Sequence, residues 1–447
     1  MQVSTFAGTG IPGVVDGPAA TAQFHAPKGM AFDAQGNMLV AEAFKCLIRK
    51  VSTTGLVSTV AGTGVCGYLD GPVATAQFQN PQNLEIDPQG FIFLTDNRSI
   101  RKISPDGIVS TLAGTGVLGF ADGPGATAQF ENVGGLTLDS SGNLFVTERT
   151  RIRKVTPEGF VSTLAGTGSA GYQDGSGLVA QFQSLGDIDL DRAGNLYVAD
   201  TVNNRIRKVS QTGMVSTVGG NGNPGFADGP SDSAQFVYPS DVVVDGAGNL
   251  FITDSFNYRV RKIAVTGIVS TLAGSGTAGF LDGDALTAQF WLPLGLEMDS
   301  LGNLYVTEAG TTLADPYRRI RKISTPGIPF GTNSGTSTTT TTTTIPSVPG
   351  VLGAKIVRLS NSPAGDSVYS VTLKMSGVPS GTDYEFVVPS GHVPPDPPND
   401  PQTQRHVERA VSGVVQWQYN VTNPRGIFTA RLYVLGANSP LSSVEVK

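Results

Sequence analysis

The sequence predicts an all-β protein, and three observations support this fold class. Six copies of the phrase Val-Ser-Thr are spaced 52 or 54 residues apart. Each copy holds short apolar runs bounded by Gly, Asn and Asp, as strands are. Glycine accounts for 57 of the 447 residues, nearly twice the usual ~7%, which is typical of a turn-rich chain. The copies of the phrase begin at Val3, Val57, Val109, Val161, Val215 and Val269.

Each copy predicts four strands. In the first complete copy, turns at Ala34–Asn37 and Thr53–Gly55 separate successive apolar runs and indicate hairpins. Four short strands that repeat every ~40–50 residues are typical of propeller blades, which close radially and leave few exposed edges. The strands of this copy are expected at 30–34, 38–43, 46–52 and 57–62.

The six copies fill residues 1–327 and run out of phase with the blades. Residues 2–8 form an outermost strand with no blade before them, whereas the sixth copy, at 295–324, has no outermost strand after it. We therefore predict a six-bladed β-propeller over residues 1–330 that the N-terminal strand closes.

The second and third strands of each copy carry a recognisable motif. Asp191 to Lys208 follows the pattern Asp-x-x-Gly-Asn-Leu-(Tyr/Phe)-Val-(Ala/Thr)-(Asp/Glu), after which comes Asn-x-Arg-Ile-Arg-Lys. Asp245 to Lys262 matches it except that it has Ile252 for Val and Val260 for Ile. This pattern resembles NHL repeats, and the resemblance covers about 325 residues. It implies the propeller fold but no single function, since propellers of this kind serve enzymes, RNA binders and adhesion proteins. Leu47 and Ser99 depart from it, because the other copies place Arg there.

Residues that recur in all six copies are interpreted as structural. The Asp of each Asp-Gly is expected to cap a turn at the following Ala-Gln-Phe, with a ring of cation ligands as the alternative. An acidic residue that ends the second strand is expected to pair with an Arg of the third strand, and the Phe of Ala-Gln-Phe to pack between blades. The three acidic or aromatic sets are Asp16, Asp70, Asp122, Asp174, Asp228 and Asp282; Glu42, Asp96, Glu148, Asp200, Asp254 and Glu308; and Phe24, Phe78, Phe130, Phe182, Phe236 and Phe290.

The loops that differ between copies are the better place to look for function. The connection that leads into each blade and the connection between its second and third strands share one face of a propeller. Aromatic side chains on that face suit a peptide or a glycan, with solvated loops and incidental aromatics as the alternative. The candidate binding residues are His25, Phe44, Tyr238, Phe256, Tyr258, Trp291 and Tyr317.

The two cysteines fall in the first two copies. Counting back from the turn at Thr53–Gly55 places Cys66 about four residues beyond direct opposition to Cys46. A disulfide requires Cα atoms within ~7 Å, so this register favours two free thiols, with a Cys46–Cys66 bridge as the alternative.

Composition excludes several functions. Residues 1–331 contain 22 Lys and Arg against 29 Asp and Glu, which disfavours nucleic-acid binding. No apolar run approaches the ~18–20 residues of a membrane-spanning helix. With three histidines and two cysteines, we expect no zinc site and no cofactor. We expect no carboxylate or amide to depart from the residues that recur in all six copies. No motif of a catalytic nucleophile occurs either, so we predict a non-enzyme. A channel-centred lyase or lactonase, as the NHL resemblance allows, is the alternative.

The rest of the chain predicts a linker and a second module. Residues 331–350 form a Thr/Ser/Pro-rich linker whose seven threonines, Thr338–Thr344, are candidate O-glycosylation sites. Residues 351–447 alternate like the strands of a β-sandwich similar to immunoglobulin or fibronectin type III domains, with Trp417 in its core. Val393–Pro401 reads as a polyproline II excursion, either a partner-docking segment or a rigid surface loop. The seven threonines are Thr338, Thr339, Thr340, Thr341, Thr342, Thr343 and Thr344.

These features together predict a non-catalytic extracellular or cell-surface protein. The propeller is expected to be the interaction scaffold and the sandwich an attachment or assembly module, and a self-assembling, filament-type subunit is one form that such a protein takes. The expected partner is a protein or glycan, including copies of the chain itself, with no nucleic acid and no membrane insertion. Met1–Thr5 leads straight into a strand without a signal segment. Either the protein stays inside the cell or the numbering begins at a processed or trimmed end, and we expect the second.

Overall fold

The computed structural model describes residues 1–309, residues 317–324 and seven strands between residues 354 and 446. The chain divides into two compact units, Met1–Gly335 and Thr336–Lys447. In the described residues no helix is long and apolar enough to cross a membrane. The linker threonines Thr338–Thr344 lie outside the described residues.

The first unit is a six-bladed β-propeller, as the sequence predicts. Every blade is an antiparallel sheet of four strands, to which a two-residue outer strand is added in four blades. Single 3-10 turns at Ala43–Lys45 and Ser255–Asn257 precede the third strands of blades 1 and 5.

The strands of the propeller have the following bounds. Blade 1 contains β2 (Gly17–Pro18), β3 (Pro27–Phe32), β4 (Met38–Glu42), β5 (Leu47–Val51) and β6 (Leu56–Ala61). Blade 2 contains β7 (Gly71–Pro72), β8 (Pro81–Ile86), β9 (Ile92–Asp96), β10 (Ser99–Ile103) and β11 (Ile108–Ala113). Blade 3 contains β12 (Val133–Leu138), β13 (Leu144–Glu148), β14 (Ile152–Val155) and β15 (Val161–Ala165).

The second half of the ring repeats this arrangement. Blade 4 contains β16 (Leu185–Leu190), β17 (Leu196–Asp200), β18 (Arg205–Val209) and β19 (Val215–Gly219). Blade 5 contains β20 (Gly229–Pro230), β21 (Pro239–Val244), β22 (Leu250–Asp254), β23 (Arg259–Ile263) and β24 (Ile268–Ala273). Blade 6 contains β25 (Gly283–Asp284), β26 (Pro293–Met298), β27 (Leu304–Glu308), β28 (Arg318–Ser324) and β1 (Gln2–Gly10).

The N-terminal strand closes the ring. β1 pairs antiparallel with β28, so that Gln2 lies opposite Ser324 and Ser4 opposite Lys322. Blade 6 therefore takes its outermost long strand from the start of the chain, which confirms the predicted closure. Because the ring has no first or last blade with an open face, the sheet faces of all six blades are packed against neighbours.

The core lies between adjacent blades. Phe24 is fully buried and packs with Tyr305 and Ile320 of blade 6 and with Met30 and Val40 of blade 1. The other five phenylalanines of the Ala-Gln-Phe set are equally buried in their own interblade clusters. This confirms that these rings are wedges between blades.

The second unit contains two antiparallel sheets. One sheet has the order β29 (Ala354–Leu359), β30 (Val368–Ser376) and β33 (Val414–Thr422). The other has the order β32 (Thr403–Arg409), β31 (Asp383–Pro389), β34 (Phe428–Val434) and β35 (Ser442–Val446). A β-sandwich over residues 351–447 remains a prediction.

Candidate functional site

A buried arginine holds each blade to the connection that enters it. Arg49, on the third strand of blade 1, is completely buried. One of its terminal nitrogens, Nη1, lies 2.6 Å from Glu42 Oε1, and the other, Nη2, lies 2.6 Å from Asp16 Oδ1. The same two nitrogens donate to the backbone carbonyls of Gln23 and Val15 at 3.2 and 3.1 Å. The same contacts recur at Arg101, Arg153, Arg207, Arg261 and Arg321.

The Asp of each Asp-Gly has a different role from the one the sequence predicted. Asp16 does not cap the Ala-Gln-Phe turn, because its carboxylate accepts from Arg49 and, through Oδ2, from the backbone N–H of Thr59 at 3.0 Å. It thus ties the incoming connection to the third and fourth strands of the blade. The pairing of Glu42 with Arg49 is confirmed, and both sets belong to the scaffold.

Burial opposes ionisation within this network. Burial raises the pKa of Glu42 although the guanidinium of Arg49 lowers it, and in blade 6 burial raises the pKa of Glu308 to about 7 against the effect of Arg321. A carboxylate desolvated to this degree depends on its arginine to stay charged.

The six innermost strands surround the central channel, and their side chains break the six-fold pattern. Each of these strands contacts the next around the ring. At the third position of the strand three blades have glycine, while Asn83, Asp187 and Asp241 occupy the others. Asn83 of blade 2 donates to both carboxylate oxygens of Asp187 of blade 4, at 2.7 and 2.5 Å. In blade 3 the same position is Gly135. Glycine is needed there, because a Cβ would lie 2.5 Å from Asp187 Oδ1.

Two positions further along the same strands, blades 2, 4 and 6 place Glu85, Asp189 and Glu297 in the channel. Burial, together with the charge of neighbouring carboxylates, raises the pKa of Glu85 and of Glu297 well above the usual range. Burial also raises the pKa of Asp189 to about 7 and that of Asp187 to about 6. Burial, and after it the charge of Asp187, raises the pKa of Asp241 well above its usual range.

This channel corrects the expectation that no carboxylate breaks the repeat. The five acidic residues are not part of the repeated motif, because they lie at positions where the copies differ. Aligning the third and fifth positions of the innermost strands would have found them. Among the described residues, no group of three or more His, Cys, Asp or Glu side chains is arranged to hold a metal ion.

The candidate binding residues lie together on one face, in blades 5, 6 and 1. Their rings form three groups: Tyr238 with Phe256 at 5.1 Å between centroids, the stack of Tyr258, Trp291 and Tyr317 at 6.4 and 4.8 Å, and His25 with Phe44 at 6.4 Å. Phe44 is 64% exposed, Phe256 52% and Tyr238 42%. We call these seven residues the aromatic arc: His25, Phe44, Tyr238, Phe256, Tyr258, Trp291 and Tyr317.

Two tyrosines of the aromatic arc have a left-handed backbone. Tyr238 has φ 53° and Tyr258 has φ 54°. The equivalent residues of blade 4 are Ser184 and Asn204, which have the same conformation, and Asn tolerates it far better than a bulky residue does. The repeat also has this conformation in other blades, at Cys46, Asn97 and Leu292, and the conformation itself does not require tyrosine at either position.

The connections between second and third strands carry positive charge. Among their described residues, Lys45, Arg98, Arg149 and Arg151 are the charged ones and none is acidic. Partial burial, the guanidinium of Arg318 and the ammonium of Lys45 lower the pKa of His25. This end of the arc is therefore electropositive although the propeller as a whole is acidic.

A disulfide joins Cys46 and Cys66, with Cα atoms 5.3 Å apart, whereas the predicted register favoured free thiols. The register failed for two reasons. Cys46 lies outside the strand, in left-handed conformation (φ 57°) after the 3-10 turn. The chain then turns back at Gly62, where a Cβ would lie 2.5 Å from the carbonyl oxygen of Cys46. Cys46 is fully buried and Cys66 is exposed.

Comparisons with known proteins agree with this architecture. No family model matches the chain. It is 28% identical over 325 residues to Protein SUPPRESSOR OF QUENCHING 1, chloroplastic, of Arabidopsis thaliana, which is 68% of this chain and 26% of that protein. It is 28% identical over 245 residues to teneurin-3 of Danio rerio, 46% of this chain and 9% of that protein. The chain thus spans about a quarter or less of these relatives.

The solved structures show the fold. A Bacteroides thetaiotaomicron protein of unknown function superposes with a TM-score of 0.57 at 21% identity, over 72% of this chain and 75% of that one. An auxiliary nutrient binding protein of the same organism gives 0.55 at 17% identity, over 72% and 76%. NHL repeat-containing protein 2 of Bos taurus is 29% identical over 323 residues, 66% of this chain and 39% of that protein. The chain is a six-bladed β-propeller that is similar in sequence to an NHL repeat-containing protein.

Proposed function

We propose that the chain is a non-catalytic binding protein of an extracellular or cell-surface setting, and that its partner, a protein or a glycan, binds the aromatic arc. The propeller is the scaffold, and the second unit serves attachment or assembly. The single observation that carries the proposal is the left-handed backbone of Tyr238 and Tyr258. Residues in sparsely populated conformations persist where function needs the side chain.

Exposure of the rings supports this proposal. Large apolar side chains that cluster on one face of a protein mark interaction sites, and Phe44, Phe256 and Tyr238 are each more than two-fifths exposed. Tyr and Trp are also the side chains that dominate binding energy in protein interfaces. The opposite half of the same face, in blades 2 to 4, has no comparable ring cluster among the described residues.

The disulfide supports the proposed compartment. Disulfides form and persist in secreted and cell-surface proteins and are rare in the cytosol. The auxiliary nutrient binding protein from Bacteroides thetaiotaomicron shares the fold, so a propeller of this shape is compatible with a binding role.

The proposal is tested with the full chain and its own fluorescence. The chain has two tryptophans, Trp291 and Trp417, so Trp417→Phe leaves Trp291 as the sole reporter in the aromatic arc. Soluble polysaccharides and a set of proline-rich and random peptides are titrated separately. We expect saturable change with one class and at least about thirtyfold weaker binding in Tyr258→Asn, as loss of a ~2 kcal/mol hot spot produces. Absence of saturable change with every probe would overturn the proposal.

A channel-centred lyase or lactonase is the second candidate, and the raised pKa values of Glu85 and Glu297 favour it. A carboxyl that stays protonated near neutral pH is able to act as a general acid. The test is hydrolysis of a simple aryl lactone by the wild type and by Glu85→Gln and Glu297→Gln. Turnover that both substitutions abolish would establish the second candidate, and equal rates in all three would dismiss it.

A further inference from the structure

We infer that the side-chain amine of Lys28 captures small hydroxylated aldehydes by forming an imine where the channel opens. This activity goes beyond the proposed function and does not involve the aromatic arc. Three properties of the site lead to it: the place of Lys28 in the ring, the environment of its amine, and the size and polarity of its neighbours.

Lys28 lies at the end of the channel. It is the second residue of β3, the innermost strand of blade 1, which begins two residues after His25 of the aromatic arc. Its carbonyl oxygen accepts a hydrogen bond from Thr307 Oγ1 of blade 6 at 3.0 Å. In blades 3, 4 and 6 a threonine of the preceding blade donates to the equivalent carbonyl, so these residues lie at one level. We call this level the mouth of the channel, and it consists of Lys28, Gln82, Gly134, Gly186, Ser240 and Leu294.

The fold does not require a cation in the mouth. The other five residues are uncharged, and two of them are glycine. Residues that differ between copies of a repeat are better candidates for function than those that every copy shares. Lys28 therefore has no part in the scaffold that the blades have in common.

The amine of Lys28 is desolvated without a counter-charge. Burial lowers the pKa of Lys28, and no neighbouring charge or hydrogen bond contributes to that shift. The strands packed against β3 do carry ionisable side chains, but none of them affects the pKa of Lys28. A larger share of this amine is therefore unprotonated near neutral pH than in an ordinary lysine. The charged residues of those strands are Glu42, Glu85, Glu297, Glu308, Arg318, Arg319, Arg321 and Lys322.

A desolvated lysine amine is the group from which proteins form imines with carbonyl compounds. Lys28 remains partly exposed, so a ligand in the mouth has access to its amine. Nζ adds to the aldehyde carbon, and the carbonyl oxygen leaves as water with the two protons of the neutral amine. A C=N bond thus replaces the C=O bond, and no oxidant or reductant takes part.

The neighbours of Lys28 in the mouth suit a small hydroxylated ligand. In blades 3 to 5, opposite blade 1, Gly134 and Gly186 have no side chain and Ser240 has a small one, which leaves space for a ligand. The amide of Gln82 and the hydroxyl of Ser240 are hydrogen-bond donors and acceptors. These neutral groups match the hydroxyl groups of a sugar-like compound.

The next residues along the strands favour a neutral ligand over an anion. Asp187 and Asp241 directly follow Gly186 and Ser240, and burial raises the pKa of Asp187 to about 6. Asp187 is therefore mostly ionised at pH 7 and repels an anionic carbonyl compound such as a 2-oxo acid. A neutral aldehyde with hydroxyl groups, such as the open-chain form of a sugar, meets no such repulsion.

The test treats the full chain with glycolaldehyde and cyanoborohydride at pH 7. Cyanoborohydride transfers a hydride to the imine carbon and leaves a stable secondary amine, and peptide mass spectrometry then measures the labelling rate of each lysine. We expect Lys28 to be labelled at least about tenfold faster than Lys102 and Lys154, because each unit by which a pKa falls increases the unprotonated fraction about tenfold. Lys102 and Lys154 lie on third strands, outside the channel, and serve as internal controls.

Two further measurements address the ligand and the site. Glyoxylate is an anionic aldehyde of similar size, and we expect it to give a smaller ratio of Lys28 labelling to Lys102 labelling than glycolaldehyde gives. Tyr258→Asn, in the aromatic arc, is the matched control variant and should leave the rate at Lys28 unchanged. A tenfold lower rate in this variant would contradict a site that is independent of the arc.

The outcomes separate this inference from the proposed function. A rate at Lys28 that does not exceed the rate at Lys102 overturns the inference and leaves binding at the aromatic arc standing. A larger ratio with glyoxylate than with glycolaldehyde overturns the assignment of a neutral ligand. Fast labelling of Lys28 supports the inference even when no peptide or polysaccharide binds the arc.

Discussion

The third strands of blades 1 and 5 begin with the same backbone conformation but are tethered to the following loop in different ways. In both, a 3-10 turn ends at a left-handed residue, Cys46 or Tyr258. In blade 5 the next residue, Arg259, stacks on Phe226 at 3.8 Å and donates to the carbonyl of Ser275 at 2.8 Å. In blade 1 the arginine is absent, and the Cys46–Cys66 bond reaches the equivalent loop instead.

This difference shows which parts of the repeat are interchangeable. The loop that follows each blade must be tethered to the start of the third strand, but a covalent bond and a stacked arginine both achieve this. Blades 3, 4 and 6 use the arginine, stacked on Phe120, Tyr172 and Phe280 at 3.7–3.9 Å. The left-handed residue is then free to differ: it supplies a sulfur in blade 1 and a ring of the aromatic arc in blade 5.

The largest expected effect concerns what blades 1 and 5 share. Arg49→Leu and Arg261→Leu each leave two carboxylates without their partner, and we expect each to lower the free energy of unfolding by about 3–5 kcal/mol. Urea denaturation measures this loss, with Lys262→Leu on the same strand as control. A loss below 1 kcal/mol in either blade would contradict the structural role of this network.

The next effect separates the two tethers. Cys46→Ser with Cys66→Ser opens a 20-residue loop, which costs about 3 kcal/mol in the chain-entropy model. Arg259→Met removes one cation–π contact and two part-buried hydrogen bonds, and we expect a loss of about 1–2 kcal/mol. Urea denaturation with and without a reductant measures both, because a reductant should destabilise the wild type and leave the double serine variant unchanged.

A third prediction uses the channel, where blade 5 has Asp241 and blade 1 has Gly29. Burial and neighbouring carboxylates raise the pKa of Asp241, and the pKa of Asp189 rises to about 7. The folded state therefore binds more protons than the unfolded chain, whose carboxyls titrate near ~4. The contribution of these carboxyls to the free energy of unfolding should be greatest below pH ~4. It should be lost as the pH rises through ~6 to 7.

We expect the midpoint of thermal unfolding to be lower at pH 8 than at pH 5.5, and Asp241→Asn to reduce that difference. Scanning calorimetry at both pH values measures it. Asp232→Asn, a substitution of an acidic residue that lies in an exposed connection, is the control. A variant with Asn at 241 that keeps the full wild-type pH dependence would refute the assignment to the channel.

The smallest expected effect concerns the left-handed residue itself. Tyr258→Asn should stabilise the propeller by about 0.5–1 kcal/mol, because Asn adopts this conformation at lower cost. The reverse exchange in blade 4, Asn204→Tyr, should destabilise it. Thermal unfolding measures both, and stabilisation combined with lost binding is the signature of a residue kept for function.

The sequence predicted the repeated parts of this molecule and missed what depends on geometry between copies. The closing strand at residues 2–8, the interblade position of Phe24 and the Glu42–Arg49 pair followed from periodicity alone. Asp16 was misassigned because its partner lies 33 residues away on another strand. The disulfide was disfavoured because a left-handed turn at Cys46 leaves no trace in an alternating apolar pattern.

The channel and the aromatic arc differ in how far single copies of the repeat predict them. The seven aromatic residues were predicted one loop at a time, and the structure places them on one face, in three groups of touching rings. Asp187 and Asn83, by contrast, are separated by 104 residues and become neighbours only because the ring closes. Such contacts cannot be read from a single repeat.

The pairing of β1 with β28 has a consequence for biosynthesis. During synthesis β1 waits for its partner β28, which is translated more than 300 residues later. Until β28 is made and pairs with β1, the edge of β1 is open to pairing with other nascent chains. The same strand that seals the finished ring is thus the place where exchange between two molecules is easiest during synthesis.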